Sequence, residues 1–440
     1  MNHSIKLITS TAHAQWQESS GFSPSKGEIN LEIQSQRYQT WEGFGGCFNE
    51  LGYQSLATLP AAERQTFFQE LFAPEGGFGF NFCRLPMGAN DYSTSWYSLN
   101  ETALDFAMEQ FSIERDRQML IPFIKEALKI QPKMTLFASP WSPPTWMKNP
   151  QAHNYGKLIW QADYLAAYAL YFQKFVEAYR REGIRIDQVH VQNEPMSTQK
   201  FPSCVWSGEE MRDFIRDWLG PRFEQAKLDC EIWLGTINGP EFDERKFITG
   251  YNKYADLVMA DPDARRFVAG VAYQWAGKNA IQRTHQAWPE LRLIQSENEC
   301  GDGQNSWVYA DYVFDLVYHY LSNGASAYVY WNMILDPHGE STWGWKQNSL
   351  YCADAGTGKL IRNPEYWIMK HFAAHIRPGA VRVGLGGQWS GNAVAFTQAG
   401  KTTIVIKNPF AQAQTIRFQM DGSSYAIELA AESFNTILID

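Results

Sequence analysis

The stretch QVHVQNEP, residues 188–195, carries the pattern that decides the fold of this chain. A short β-forming run around Val189 and Val191 breaks into the polar residues Asn193 and Glu194 and stops at Pro195. Before it lies QADYLAAYALYFQKFVEAYRREG (161–183), in which apolar residues recur every three or four positions, as a helix with one buried face requires. The region therefore predicts a helix followed by a buried strand with a polar C-terminal end.

Seven further runs of the same kind lie between about residue 41 and residue 335, with helix-like segments such as SWVYADYVFDLVYHYLSNG (306–324) between them. These runs are WEGFGGCFN (41–49), FNFCRLPMG (80–88), MTLFASPW (134–141), EIWLGTING (231–239), FVAGVAYQW (267–275), RLIQSENE (292–299) and SAYVYWNM (326–333). Eight strand–helix alternations with nearly continuous apolar strands predict an α/β protein, a (β/α)8 TIM barrel with its helices outside. A doubly wound sheet is the alternative, but the eight regular units and the lack of GxGxxG after the first strand favour the barrel.

The two chain ends have a different pattern from the barrel region. From about residue 377 short runs alternate apolar and polar residues between Gly, Asn, Asp and Ser, and EINLEIQSQRYQTW (28–41) alternates in the same way. This pattern predicts an antiparallel β-sandwich formed from both chain ends. The expected division is residues 1–40 as N-terminal strands of the sandwich, 41–376 as the catalytic barrel and 377–440 as the C-terminal part of the sandwich.

Composition narrows the classes of partner and compartment. The 440 residues carry a formal net charge of −9, which gives no general attraction to phosphate backbones, so we expect no nucleic acid partner. No run of ~18 apolar residues appears, so we expect no membrane span. The only apolar patch near the N-terminus, IKLI, is shorter than the ~7–15 residues of a signal-peptide core. We therefore expect a cytoplasmic location, or secretion if a leader was removed.

Cysteine and histidine spacing gives no metal or cofactor signal. The six cysteines include no CxxC pair and are too sparse for a disulfide scaffold, so buried free thiols are expected. His371 and His375 lie four apart on a predicted helix, but the HExxH pattern is missing. His190 lies inside a predicted strand and is expected to be a hydrogen-bonded core residue. We expect no cofactor and no metal site.

Polar and aromatic residues cluster where the predicted barrel strands end, and barrels of this type build their active sites at that face. The residues at or after these ends are Arg84, Asp91, Trp141, Trp146, Asn193, Glu194, Gln274, Trp275, Glu297, Glu299, Trp331 and Asn332. Glu194 and Glu297 follow well-separated strands, and glycoside hydrolysis needs such a carboxyl pair. Glu299 lies two residues after Glu297 and would lie on the same face of the strand, so spacing alone does not show which of the two is catalytic.

Seven segments in order carry a family resemblance: WEGFGGCFNELG, FCRLPMGANDYS, ASPWSPPTWMK, VQNEP, QSENECGD, YVYWNM and STWGWKQNS. With them the chain resembles the glucosylceramidase-like glycoside hydrolases of family 30 from about residue 40 to residue 350. The resemblance implies a retaining β-glycosidase, with Glu194 as acid/base and Glu297 rather than Glu299 as nucleophile. Its sugar-binding positions map onto Asp91, Trp141, Asn193, Trp331 and Asn348, and its bracing arginine onto Arg84.

One segment departs from the family. Where the family usually has His-Trp-Tyr after the sixth strand, with the tyrosine on the nucleophile, this chain has Gln274, Trp275 and Ala276. We expect Gln274 and Trp275 to contact substrate and the orienting hydroxyl to be missing. A retaining mechanism further predicts a carboxyl separation of ~5–5.5 Å rather than ~6.5–9.5 Å.

The expected substrate is a carbohydrate or glycoconjugate, most simply a β-glucoside cleaved by exo action, as by a glucosylceramidase or β-glucosidase. Within the same family β-xylosidase, β-fucosidase and endo-β-1,6-glucanase activities are the alternatives. An alternative from a different class is a non-catalytic protein that binds sugars at the same site but does not hydrolyse them. Substitution of Glu297 separates the two classes, because only an enzyme loses turnover through it. The sequence does not indicate an oligomeric state.

Overall fold

A computed structural model gives the fold and describes residues 4–20, 22–239, 253–420 and 422–440. Eight parallel strands form a closed barrel in chain order, each hydrogen-bonded to the next and the last to the first. They are Gly43–Cys47, Phe82–Pro86, Thr135–Ser139, Gln188–His190, Glu231–Ile237, Val268–Gln274, Arg292–Glu297 and Ala325–Asn332. The predicted (β/α)8 barrel is confirmed, and each strand lies within the run of sequence that predicted it, except that the eighth begins one residue earlier, at Ala325.

Helices follow or precede these strands on the outside of the barrel. The longest, Ala162–Arg181, buries residues at three- and four-residue spacing, among them Leu165, Tyr168, Phe172 and Phe175. The α-helices are Glu50–Ala57, Ala61–Phe72, Leu120–Ile130, Ala162–Arg181, Gly208–Phe214, Gly220–Ala226, Lys253–Met259, Pro262–Arg265, Lys278–Ala287, Trp307–Ser322 and Pro364–Ala373. A π-helical segment, Ile215–Leu219, joins the fifth of these to the sixth.

The inside of the barrel is filled by side chains rather than by solvent. Phe82, Phe137, Trp233, Ile294 and Val329 form a buried cluster contributed by five different strands. His190 lies in this interior with its ring stacked between Phe137 and Trp233, as expected of a core histidine. Because this packing closes the lower part of the barrel, open space remains only at the ends of the strands.

The two chain ends join in one β-sandwich, as predicted. A seven-stranded sheet runs in the order Gln17–Ser19, Ile5–Ser10, Ser433–Ile439, Lys401–Asn408, Ala393–Gln398, Val381–Gly386 and Glu32–Thr40. A three-stranded sheet, Gln414–Met420, Ser423–Leu429 and Phe22–Pro24, packs on it through a shared core that contains Ile404, Phe418, Ile427 and Ile437. Two small sheets lie among the loops. One has two strands, Lys148–Asn149 and Lys157–Leu158, and the other has three, Ile334–Leu335, Tyr351–Asp354 and Lys359–Arg362.

The helix Pro364–Ala373 connects the sandwich to the barrel. His371, fully buried on this helix, lies 2.9 Å from the hydroxyls of both Ser10 and Thr436, which belong to the two chain ends. Burial lowers the pKa of His371 to about 3, so the ring is neutral and can share hydrogen bonds with both hydroxyls. His371 therefore serves the domain junction, and no described group of three His, Cys, Asp or Glu side chains is arranged to hold a metal.

Two further sequence expectations concern thiols and membranes. All six cysteines are free, and five of them are buried while Cys230 is half-buried. Among the described helices, none combines the length and apolar character needed to cross a bilayer.

Candidate active site

A cavity of about 260 Å³ opens at the C-terminal ends of the barrel strands. Carboxyl, amide and aromatic side chains at the ends of the second to eighth strands, or in the loops after them, line it. The lining residues are Asp91, Trp141, Asn193, Glu194, Ser197, Gln199, Phe201, Asn238, Trp275, Ala276, Glu297, Cys300, Trp343, Trp345 and Gln347. The site is thus polar on its floor and aromatic on one wall, a combination typical of a pocket for an uncharged polar ligand.

Arg84, fully buried in the middle of the second strand, organises the floor of the cavity. Its Nη1 donates to Oε2 of Glu297 at 2.8 Å, and its Nη2 donates to Oδ1 of Asn193 at 2.6 Å. Ser139 accepts from Nε and Nη2. The guanidinium carbon lies 4.5 Å from the centre of the Trp141 ring. One guanidinium therefore links the second, third and seventh strands with the segment that follows the fourth.

Glu297, the last residue of the seventh strand, receives hydrogen bonds at both carboxyl oxygens. Oε2 accepts from Arg84 and from Nε2 of Gln274, and Oε1 accepts from the indole Nε1 of Trp275, the last two bonds being 3.1 Å long. Trp275 holds this position with a left-handed backbone, at φ 48°. The hydroxyl that the sequence lacks at Ala276 is therefore replaced by the indole N–H of the preceding residue.

Glu194 lies across the cavity from Glu297, four residues after the fourth strand ends at His190. Its Oε1 accepts from Gln274 Nε2 at 3.1 Å and its Oε2 accepts from the hydroxyl of Ser197 at 2.9 Å. Asn238 supports Ser197 through a bond of 2.7 Å to that hydroxyl. Glu194 also adopts a left-handed backbone, at φ 50°, and its own N–H is fixed on the carbonyl of Thr236. Such a conformation persists only where surrounding contacts hold it.

Burial and mutual repulsion shift the titration of the site carboxyls. Loss of hydration, followed by the negative charge of Glu297, raises the pKa of Glu194 to about 7. Loss of hydration also raises the pKa of Glu297, but the charge of Arg84 and the hydrogen bonds from Trp275 and Gln274 oppose that rise. Arg84 thus favours the charged form of Glu297, and the proton of the pair belongs on Glu194.

Asp91 presents an unsatisfied oxygen at the edge of the cavity. Its Oδ2 accepts from Gln347 Nε2 at 3.2 Å, while the buried Oδ1 has no hydrogen-bond partner among the described residues. Burial and the nearby charges of Glu297 and Glu194 raise the pKa of Asp91 to about 8. The buried indole Nε1 of Trp331 likewise has no partner in the described part of the chain. Buried polar atoms of this kind are normally paired, so both indicate places for ligand hydroxyls.

An aromatic wall borders the outer part of the cavity. Trp343 lies between Phe201 and Trp345, with ring centres 5.2 Å from each, and Trp345 lies 5.8 Å from Trp275. Trp206, in the loop after the fourth strand, is instead buried against Tyr168 and Phe214. The wall therefore comes from the loop after the eighth strand together with Phe201 of the loop after the fourth.

Most of the residues expected at the site from the sequence lie around this cavity. Asp91, Trp141, Asn193, Glu194, Trp275 and Glu297 line it, while Arg84, Gln274 and Trp331 lie buried directly behind. Gln274, expected to contact substrate, is fully buried behind the carboxyls. Trp275 lines the cavity and donates its indole N–H to Glu297.

Asn348, expected from the sequence to bind substrate, does not line the cavity. Its Nδ2 donates to Glu365 at 2.5 Å and its Oδ1 accepts from the backbone N–H of Gly303 at 2.8 Å, outside the cavity. The neighbouring Gln347 reaches the cavity instead, because one step along an extended segment reverses the side-chain direction. Glu299 also lies outside, paired with Lys278 and with Tyr312.

Sequence reasoning missed the supporting residues of the loops. Ser197 and Asn238 hold Glu194, Gln347 holds Asp91, and Phe201 and Cys300 line the cavity. Ser197 lies three residues beyond Glu194, a spacing that in a turn brings two side chains together, and this was the one signal available. The others meet the site only through the packing of separate loops.

Comparisons with known proteins agree with this architecture. The family described as the glycosyl hydrolase family 30 TIM-barrel domain matches residues 41–376. The lysosomal acid glucosylceramidase of Mus musculus is 27% identical over 378 residues, which cover 80% of this chain and 70% of that protein. The endo-1,6-β-D-glucanase of Neurospora crassa is 27% identical over 400 residues, 86% of this chain and 80% of that one. The solved structure of the endo-β1,6-glucanase BT3312 superposes with a TM-score of 0.86 at 26% identity, covering 99% of this chain and 98% of that one.

Proposed function

The chain belongs to glycosyl hydrolase family 30 and is a glycoside hydrolase, and from this premise we propose that it hydrolyses a β-glucoside through a covalent glycosyl-enzyme intermediate. In this proposal Glu297 is the nucleophile and Glu194 the acid/base. Asp91, Trp141, Asn193 and Trp331 bind the sugar in the innermost position. We also propose the division of the chain into residues 1–40, 41–376 and 377–440, with the catalytic barrel in the middle.

The observation that carries the proposal is the shared hydrogen-bond donor of the two carboxyls. Gln274 Nε2 lies 3.1 Å from Oε1 of Glu194 and 3.1 Å from Oε2 of Glu297, so these two oxygens are separated by at most twice that distance. Retaining glycosidases keep their carboxyls ~5–5.5 Å apart, whereas inverting ones need ~6.5–9.5 Å to admit a water molecule. The spacing supports nucleophilic attack over direct hydrolysis by water.

The reaction then divides between the two glutamates. Glu297, ionised beside Arg84, attacks the anomeric carbon through Oε1, since Oε2 is occupied by Arg84 and Gln274. Glu194 donates its proton to the departing glycosidic oxygen. In the second step Glu194 removes a proton from water, which attacks the anomeric carbon and releases Glu297.

The sugar-binding residues offer complementary groups to the ring hydroxyls. Asp91 leaves Oδ1 unsatisfied, and with its pKa near 8 it is protonated at neutral pH and can both donate and accept. Oδ1 of Asn193 is held by Arg84 and by Thr236, so its Nδ2 is the group that can donate to a sugar hydroxyl. Trp141 and Trp331, with ring centres 5.6 Å apart, add apolar area for the face of the sugar.

The test of the proposed substrate is a panel assay with purified protein. We expect release of nitrophenol from 4-nitrophenyl β-D-glucoside, unchanged by a metal chelator, and little from the matching β-xyloside and β-fucoside. Hydrolysis of the xyloside alone would contradict the β-glucoside assignment, and no hydrolysis of any β-glycoside would contradict the proposed function. Glucosylceramide in detergent, as a β-glucoside with an apolar aglycone, tests whether the aromatic wall accepts a lipid.

A second candidate, endo-β-1,6-glucanase activity, is favoured by the comparisons. The relative from Neurospora crassa and the structural neighbour BT3312 are both named for that activity. The aromatic wall of Trp343 and Trp345 suits a second sugar ring beyond the innermost one, because aromatic faces pack on flat apolar sugar faces. Oligosaccharide release from a β-1,6-glucan, with no cleavage of the nitrophenyl glucoside, would select this candidate.

The pH dependence follows from the proton held by Glu194. Its pKa of about 7 means that the acid is lost above neutral pH, so kcat/KM is expected to fall as pH rises through about 7 and, on the acidic side, as Glu297 becomes protonated. The measurement is kcat/KM between about pH 4 and about pH 9, in about ten buffers of equal ionic strength. In Glu194→Gln, assayed with an activated aryl glucoside, the alkaline limb should disappear. A limb that persists there belongs to another group, such as Asp91.

A further inference from the structure

Gln274 occupies a position between the two carboxyls that no contact with substrate explains. It is the last residue of the sixth strand, it is fully buried, and both ends of its amide are engaged. Oε1 accepts from Arg84 Nη1 at 3.1 Å and from the Ser296 hydroxyl at 3.0 Å. Nε2 donates to Glu194 and to Glu297 and lies 3.3 Å from Oδ1 of Asn193.

The surroundings allow this amide a single orientation. A flipped amide would turn its NH2 group toward the guanidinium of Arg84, donor against donor, and its carbonyl oxygen toward two carboxyls. In the observed orientation the two N–H hydrogens match the two carboxyls, and the carbonyl meets the two donors. Arg84 thus orients Gln274 as well as Glu297, and the orientation does not depend on any proton that Gln274 itself could lose.

We propose that Gln274 is a positioning residue that holds Glu194 and Glu297 at their working separation and gives each a hydrogen bond that does not titrate. This inference rests on the proposed function of the two glutamates. Gln274 touches neither the sugar nor the aglycone and acts only through the carboxyls. An amide is suited to the position because an imidazole would itself change charge near neutral pH and would add a charge between the two groups.

Several other ionisable groups face the same site and contribute to its titration. Besides the two glutamates they come from the first and second strands, from the loop after the second strand and from the segment after the seventh. They are Cys47, Arg84, Asp91 and Cys300, with Glu299 and its partner Lys278 further out. Burial raises the pKa values of both thiols, so they stay neutral over the range of an activity assay. A change at Gln274 is therefore read out through Glu194, Glu297 and Asp91.

Removal of the Gln274 amide should shift the pH profile of kcat/KM in a definite direction. Gln274→Met keeps the length of the side chain but loses both hydrogen bonds, which stabilise the charged forms of the glutamates. Both carboxyls should then hold their protons to higher pH, so both limbs of the kcat/KM profile should move upward by about one pH unit. Looser positioning should also lower kcat at the optimum by about 100-fold, with little change in KM.

The experiment compares Gln274→Met with the matched variant Gln188→Met. Gln188 is also buried in the barrel and contacts His190, but it begins the fourth strand, at the opposite end from the cavity. Gln188→Met should leave both limbs of the pH profile in place even if it lowers stability. Gln274→Glu is the second variant, in which an added carboxyl between the two glutamates should move the alkaline limb upward and lower kcat further at neutral pH.

The outcomes separate this inference from the proposed function. Limbs displaced in Gln274→Met or Gln274→Glu but not in Gln188→Met support the positioning role. Unmoved limbs in a folded, active Gln274 variant, or equal displacement in Gln188→Met, would overturn it and leave the proposed function intact. A Gln274→Met variant whose main defect is a raised KM would also overturn it, because that result indicates contact with substrate. A wild type inactive on all β-glycosides would refute the proposed function itself.

Discussion

Glu297→Gln is expected to reduce kcat on the β-glucoside by on the order of 10⁴-fold or more while leaving ligand binding nearly unchanged. The amide keeps the shape of the side chain and one acceptor oxygen, but it cannot attack the anomeric carbon. Its NH2 group also faces the Arg84 guanidinium at the position of Oε2 or the Trp275 indole at the position of Oε1. Turnover by stopped-flow or long incubation and affinity by calorimetry measure the two effects separately.

Glu299→Gln is the control for this substitution. Glu299 lies two residues further on, is held by Lys278 and Tyr312, and does not reach the cavity. Its replacement should leave kcat within about threefold of the wild type, since loss of such a partly exposed ion pair costs ~1 kcal/mol or less of stability. If Glu299→Gln abolished turnover and Glu297→Gln did not, the assignment of the nucleophile would be reversed. A protein that binds sugars equally well in all forms and never turns over would be a binding protein.

Glu194→Ala is expected to lose activity in proportion to how much the leaving group needs a proton. For an alkyl aglycone or a second sugar the loss should be about 10²–10⁴-fold, the usual contribution of general acid catalysis. For a 2,4-dinitrophenyl glucoside, whose phenolate leaves without a proton, the first step should be nearly unaffected. The second step should then become limiting, because no base remains to activate water. Steady-state kinetics over a series of aryl glucosides gives the dependence on leaving group.

Azide provides the decisive addition to that series. The space left by the Glu194 carboxyl beside Ser197 and Gln274 admits a small anion, which needs no base to attack the anomeric carbon. Attack forms the carbon–nitrogen bond, breaks the bond to Glu297 and yields the β-glucosyl azide. Rescue of turnover with this product is the expected outcome. An equal loss on all leaving groups without rescue would show that Glu194 is not the acid/base.

The architecture could be predicted from the sequence because each barrel strand repeats one local pattern. The run 188–195 has its apolar part buried in the barrel and its polar end in the cavity, and the same holds for 134–141 and 292–299. The pairing of the two chain ends could also be predicted, since alternating strands at both termini each need a partner sheet. The periodicity of apolar residues and the polar residues at strand ends are local patterns, so a single sequence is enough to predict the strands from them.

The parts of the site that escaped prediction depend on contacts between distant segments. Ala276 suggested a missing donor for Glu297, but the left-handed backbone of Trp275 turns an indole N–H onto that carboxyl. Gln347 rather than the expected Asn348 reaches the cavity, because the direction of one loop decides which of these neighbours contacts Asp91. The burial of Gln274 between two carboxyls likewise depends on Arg84, 190 positions away in the chain.

The most direct test of the central claim is the site of covalent labelling by a 2-deoxy-2-fluoro derivative of the β-glycoside that the enzyme cleaves. Fluorine at this position slows both steps, and a good leaving group lets the first step proceed so that the intermediate accumulates. Proteolysis and mass spectrometry should place one sugar on the carboxyl of Glu297, with no label in Glu297→Gln. A label on Glu299, Asp91 or Glu194, or hydrolysis with an inverted anomeric product and no label, would contradict the account.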